Sequence, residues 1–77
     1  MKSNLKKRII NVMSSVFEIT IDKITNDSSQ DTIESWDSLK HMNLIVSLEE
    51  EFEIELTDDE ILEMSNYKLI KEIIGSY

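Results

Sequence analysis

Nothing in the backbone chemistry of this chain interrupts a helix before its C-terminal end. It has no proline, and its one glycine is Gly75. Proline breaks a helix by removing an N–H and clashing with the preceding turn, and glycine weakens one through backbone entropy. With both absent, capping side chains and the apolar pattern must set where helices begin and end. There is no cysteine either, which excludes disulfides and thiolate metal sites. Packing alone must therefore hold 77 residues together, and a domain of that size buries only about 60% of its unfolded surface. Aromatic residues make up 6% of the chain, so Leu, Ile, Val and Met must fill the core. The expectation is one all-α domain over residues 1–77.

The first helix is expected from about Lys2 to Phe17. Leu5, Ile9, Val12, Met13, Val16 and Phe17 recur at three- and four-residue spacing and line one helical face. Ser3 is a cap candidate. The second helix starts at Asp37, a strong N-cap residue, and runs to about Phe52. At 100° per residue, Leu44, Ile45, Leu48 and Phe52 share one arc, the core face. Leu39, Met42 and Val46 form an adjoining stripe, wider than a surface helix needs. Asn43, Ser47, Glu50 and Glu51 leave the opposite side polar, so the extra stripe is expected to meet a partner. Thr57-Asp58-Asp59-Glu60 reads as a capping box opening a short third helix, about 58–64. Ser65-Asn66 ends it and caps a fourth, from Tyr67 to about Gly75, with Leu69, Ile70, Ile73 and Ile74 inward. The sum is a four-helix bundle with a short third helix.

Residues 18–36 fit no helix. Ile19, Ile21 and Ile24 nearly alternate with polar residues, as in a strand. A lone strand with no pairing partner cannot satisfy its backbone. The segment is therefore read as a long ordered loop between the first two helices, pinned to the core by its isoleucines. Loops of this length in compact domains usually have a functional reason.

The net charge of −8 is unevenly spread. Residues 1–25 hold five basic and two acidic side chains, a net +3, and residues 26–77 hold three basic against fourteen acidic, a net −11. An acidic body argues against nucleic acid, whose phosphates would repel it. It suits partners with basic docking patches, although a solubilising surface accounts for the composition equally well. No apolar run is long enough to span a bilayer, and the Met-Lys-Ser-Asn start lacks the apolar stretch of an export signal. A cytoplasmic monomer without a membrane partner is expected.

Three readings compete for Asp37-Ser38-Leu39. In the first, Asp37 caps a helix and Ser38 is an ordinary first-turn residue. In the second, Ser38, His41 and Asp37 form a nucleophilic triad. That one fails, because all three lie within one turn, with no second element to orient the histidine or build an oxyanion hole. In the third, Ser38 is a site of covalent attachment, where free amide N–H groups and the helix dipole favour a phosphate. His41, near the edge of the core arc, is expected to be packed and hydrogen-bonded, with a pH-sensitive latch as the alternative. Trp36 is expected to anchor the loop on the bundle, or else to shape how an attached group lies. The four methionines read as adaptable core filler. The Asp- and Ser-rich stretch 26–37 lacks the central glycine and ligand register of an EF-hand.

A wider pattern favours the third reading. Trp36-Asp37-Ser38-Leu39, then Leu44-Ile45, then Leu48-Glu49-Glu50-Glu51-Phe52-Glu53-Ile54, resembles the acyl carrier protein family. Thr57-Asp58-Asp59-Glu60-Ile61 resembles that family's approach to its third helix. The similarity covers about residues 33–74 well and the first helix more loosely. It implies that a phosphopantetheinyl transferase, using coenzyme A and Mg²⁺, joins 4'-phosphopantetheine to the Ser38 hydroxyl. The arm's thiol would then carry an acyl or aminoacyl group as a thioester, and the carrier itself would catalyse nothing. By the same resemblance, Asp37 contributes to transferase recognition, Leu39 and Val46 face partner enzymes, and Glu49 and Glu50 are acidic docking positions.

Three positions depart from the carriers of fatty acid synthase. Trp36 replaces a small residue, Lys40 stands where an acid is common, and Asn43 often is Glu. These departures imply a stand-alone carrier of a specialised biosynthetic pathway, of fatty acid or polyketide type. A peptidyl or aminoacyl carrier shares the fold and the serine. An unmodified helical interaction module, with Ser38 a mere cap residue, is the alternative from another class.

Overall fold

The computed structural model describes residues 2–77, with side chains from Leu5 onward. The cap role expected of the Ser3 side chain lies outside the described residues. Four helices follow in order: α1 (Lys2–Phe17), α2 (Ser38–Phe52), α3 (Asp58–Glu63) and α4 (Tyr67–Gly75), with one 3-10 turn at Ile21–Lys23. Helix α2 begins one residue later than expected, with Asp37 as its cap.

The apolar pattern of α1 works as its spacing implies. Ile9, Met13 and Phe17 repeat every fourth residue and are almost wholly buried, with Leu5, Val12 and Val16 partly buried beside them. From α2, Leu44, Ile45 and Leu48 enter the same core, joined by Met64, Tyr67, Ile70 and Ile74 from the C-terminal part. Phe52 is only half-buried, and its ring lies under the Arg8 guanidinium, 4.4 Å from the centroid. Arg8 also donates to Glu51 Oε2 at 2.7 Å and to the Glu51 carbonyl at 2.6 Å, joining α1 to the end of α2. Leu69 and Ile73 are half-buried rather than core. Tyr67 was not anticipated in the core, yet it is among the largest fully buried side chains.

Helices α1 and α2 stop without glycine or proline, and both stop in the same way. Phe17-Glu18-Ile19 ends α1 and Phe52-Glu53-Ile54 ends α2. In each, the glutamate takes a left-handed backbone (φ 56° and 53°). The isoleucine N–H then reaches back to the helix, Ile19 to the Ser14 carbonyl at 3.2 Å and Ile54 to the Glu49 carbonyl at 3.1 Å. This six-to-one bond is the Schellman arrangement that usually recruits glycine. Here each isoleucine packs partly against the core, and that burial offsets the left-handed strain of about 1–2 kcal/mol.

The connection between α1 and α2 is ordered but not by all the residues expected. Ile24 and Ile33 are buried, whereas Ile21 is 56% exposed and pins nothing. Backbone pairing does the rest. The Tyr67 N–H donates to the Ser28 carbonyl at 2.9 Å and the Gln30 N–H to the Ser65 carbonyl at 3.1 Å, around an isolated bridge between Ser29 and Asn66. The loop thus finds a pairing partner, one bridge long, at the α3–α4 junction, beyond the alternating Ile19–Ile24 stretch. Ser28 is buried there, its Oγ accepting from the Thr25 N–H at 2.8 Å.

Helix α3 carries the full capping box: the Glu60 N–H donates to Thr57 Oγ1 at 3.2 Å and the Thr57 N–H to Glu60 Oε1 at 3.0 Å. The Thr57 amide, and then the Tyr77 hydroxyl, hold the Glu60 carboxyl below its ordinary pKa of 4.5. Helix α4 is capped by Asn66, whose Oδ1 accepts from the Leu69 N–H at 2.8 Å.

The left-handed ends make a sharp test. Glu53→Gly removes the Cβ strain and should raise unfolding stability by about 0.5–1 kcal/mol after glycine's entropic cost. Glu53→Val, β-branched at positive φ, should lower it by at least about 1 kcal/mol. Urea unfolding followed by circular dichroism checks both signs.

Candidate functional site

Asp37 is the N-cap of α2, with extended backbone (φ −104°, ψ −175°), and its Oδ1 accepts from the Lys40 N–H at 2.8 Å. One residue on, Ser38 opens the helix and is exposed. The first amides of a helix have no partner within it, and the dipole adds partial positive charge there. A phosphate ester on the Ser38 oxygen would therefore meet amide N–H groups and a favourable field. The residues present fit a phosphodiester at this atom. Ser38 is also open to a second protein, as the substrate of a modifying enzyme must be.

Trp36 fixes the approach to this helix. Its indole is 5% exposed and packs on Phe17 with ring centroids 4.7 Å apart. Its Nε1–H donates to His41 Nδ1 at 3.0 Å, and its backbone N–H donates to the Ile33 carbonyl at 3.0 Å. Beside it, Ser35 Oγ donates to the Phe17 carbonyl at 3.0 Å, satisfying a helix-end acceptor. The loop is thus anchored at the residues just before Ser38.

His41 is half-buried, and both of its ring nitrogens are engaged. Nδ1 receives the indole N–H, and Nε2 lies 2.8 Å from the Ile61 carbonyl. An imidazole whose nitrogens are so occupied cannot serve Ser38 as a base, which removes the triad on geometric grounds.

The second stripe of α2 is open. Leu39 is 70% exposed, Met42 51% and Val46 50%. Leu62 of α3, at 79%, adds to the exposed apolar surface. The signal for it lay in the sequence: Ile61 and Met64, three apart, define the inward side of a two-turn helix and leave Leu62 outside. Glu50 is exposed. Glu49 is not a simple surface acid, since its Oε2 accepts from the Leu56 N–H at 2.9 Å and its carbonyl takes the α2 cap bonds. That ties Glu49 to the α2–α3 turn and leaves Glu50 as the freer of the two acids expected at the docking face. Lys40 pairs with Glu18 across the α1–α2 junction at 3.0 Å.

Residues 7–74 match the family described as "Phosphopantetheine attachment site". The acyl carrier protein of Buchnera aphidicola subsp. Baizongia pistaciae (strain Bp) is 35% identical over 74 residues, 96% of this chain and 95% of that protein. Its counterpart from Buchnera aphidicola subsp. Schizaphis graminum (strain Sg) is 38% identical over 58 residues, 75% and 73% of the two chains. The solution structure of a holo acyl carrier protein from Geobacter metallireducens superposes with a TM-score of 0.82 at 30% identity, over 92% of this chain and 82% of that one.

Cap and charge at the site can be separated. Asp37→Ala should cost about 1 kcal/mol in urea unfolding, the usual value of a lost N-cap. Asp37→Asn should keep most of that stability while removing the charge. A transferase that reads the carboxylate would then discriminate against both variants in an initial-rate assay of Ser38 modification. With its fold, the exposed serine that opens its second helix and the match across most of its length, the chain belongs to the acyl carrier protein family, whose defining feature is a phosphopantetheine attachment site.

Proposed function

We propose that Ser38 carries the 4'-phosphopantetheine arm, and that the chain ferries acyl thioesters between enzymes as a stand-alone carrier. The observation that carries this reading is the exposed serine at the first position of α2, behind the Asp37 cap, in a chain of the carrier family. A phosphopantetheinyl transferase is the first partner. It takes the arm from coenzyme A and forms the phosphodiester on Ser38 Oγ. Acyl-loading and acyl-accepting enzymes with basic docking patches are the later ones. Leu39 and Val46 give them apolar contact, and Asp37, Glu50 and the outer edge of Glu49 give charge.

The pathway we infer is a specialised one. Trp36, Lys40 and Asn43 make the start of α2 bulkier and less acidic than in carriers of general fatty acid synthesis. Lys40 in particular is engaged with Glu18. Residues 1–77 would act as one domain and as a monomer in the cytoplasm. No helix among the described residues is long and apolar enough to cross a membrane.

Intact-protein mass spectrometry after co-expression with a broad-specificity transferase tests the attachment. The chain should gain one phosphopantetheine, and Ser38→Ala none. If no transferase loads the wild-type chain, an unmodified interaction module becomes the better reading. The docking stripe is tested by Leu39→Ala and Val46→Ala. Each should weaken partner binding while costing far less stability than the ~2–5 kcal/mol of a core truncation.

A further inference from the structure

Helix α3 is the least secured of the four. It has six residues and none of them is buried. A helix of that length does not persist by its own hydrogen bonds. Its N-terminus is held by the Thr57–Glu60 box. At its C-terminus the last four carbonyls lack the usual partners within the helix, although the Met64 N–H takes the Glu60 carbonyl at 3.1 Å. The next carbonyl, that of Ile61, faces His41 Nε2 at 2.8 Å.

The chemistry of the ring fixes the direction of that bond. Trp36 Nε1 can only donate, so His41 Nδ1 must accept. A neutral imidazole that accepts at Nδ1 carries its proton at Nε2. His41 therefore donates to Ile61 from a single tautomer, set by an indole that is itself buried against Phe17. The result is one chain of contacts from α1 through the residue two before Ser38, across α2, to the backbone of α3. The two bonded residues each precede an exposed apolar side chain: Met42 follows His41 and Leu62 follows Ile61.

We propose that His41 is a positioning residue for partner recognition. By capping the Ile61 carbonyl while locked by Trp36, it sets α3 against α2, so that an incoming enzyme meets Leu62 and the Leu39–Met42–Val46 stripe as one preformed surface. Preorganisation of this kind lowers the ordering cost of association. The inference rests on the reading that this stripe docks partner enzymes and that Ser38 is their target.

The test uses the full chain and steady-state kinetics of Ser38 modification by a broad-specificity phosphopantetheinyl transferase with coenzyme A. His41→Phe keeps a ring of similar size but neither accepts nor donates. It should raise the KM for the carrier about fivefold or more, within the range of ordinary coupling between sites, and leave kcat nearly unchanged. His41→Gln offers an acceptor and a donor on one amide, spaced much as the ring nitrogens are, and should recover most of the loss. Nitrogen-15 NMR of the imidazole should show Nδ1 bare and Nε2 protonated. Amide exchange across residues 61–65 should quicken in the Phe variant and not in the Gln variant. Should His41→Phe fail to fold, Trp36→Phe removes the indole donor together with part of the packing on Phe17, and should raise KM in the same direction. A proton on Nδ1, or quickened exchange in α3 with an unchanged KM, overturns the proposal and leaves the carrier reading standing. A wild-type chain that is never modified overturns both.

Discussion

The burial of one indole decides how this bundle holds its longest connection. Twenty residues separate α1 from α2, and ordering them costs about 1–2 kcal/mol each in backbone entropy. Trp36 gives that segment its largest apolar anchor, and it does so in three directions. The ring packs on Phe17 of α1, the N–H reaches His41 of α2, and the backbone N–H closes a turn onto Ile33. A smaller residue at this position would leave the histidine acceptor unpaired and the Phe17 ring uncovered. The helix that presents Ser38 begins two residues later, so the orientation of its N-terminus inherits this anchorage.

What could be read from the sequence was what local physics determines. The periodicity of α1, the Asp37 cap, the Thr57–Glu60 box and the Asn66 cap depend on neighbours within one turn, and each is where its pattern put it. What escaped depends on contacts between distant residues. The pairing of Ser28 and Gln30 with the α3–α4 junction joins segments almost forty residues apart, and no spacing announces it. Ile21 followed an alternating pattern that the 3-10 turn then dissolved, so its side chain emerged into solvent. Tyr67 was placed at the start of the fourth helix and not among its inward residues, yet its N–H pairs with the Ser28 carbonyl and its ring is buried. Its hydroxyl has no partner among the described residues, and burial pushes its pKa above 10.0.

The site divides along the same line. The places of Ser38 and Asp37 at the start of α2 were legible because a helix N-terminus is set by adjacent residues. The outward stripe was legible because it exceeds what one core-facing helix needs. The bond from His41 to Ile61 was not, since it spans twenty residues and ends on a carbonyl, a group every residue has. Glu49 shows the opposite failure: an acid on an exposed-looking helix end turned back to the Leu56 amide. Side-chain identity marks what a residue can do, while packing selects which of those things it does.

The charge pattern around α2 bears on which enzymes the carrier serves. Among the described residues, two ion pairs tie α2 to the first helix and its C-terminal end, Arg8 with Glu51 and Lys40 with Glu18. Exposed pairs of this sort contribute at most about 1 kcal/mol each, so stability alone gives little reason to keep Lys40. Its effect on the field is larger. An acid in its place would face Glu18 with like charge and deepen the negative potential beside Ser38. With lysine there, Glu18 is offset, and the acids nearest Ser38 in the chain are Glu34 and Asp37, while a second group runs from Glu49 to Glu55. A partner steered by charge would meet Asp37 at the serine end and the acids from Glu49 onward at the far end of α2, with the exposed Leu39 and Val46 as apolar contact between them.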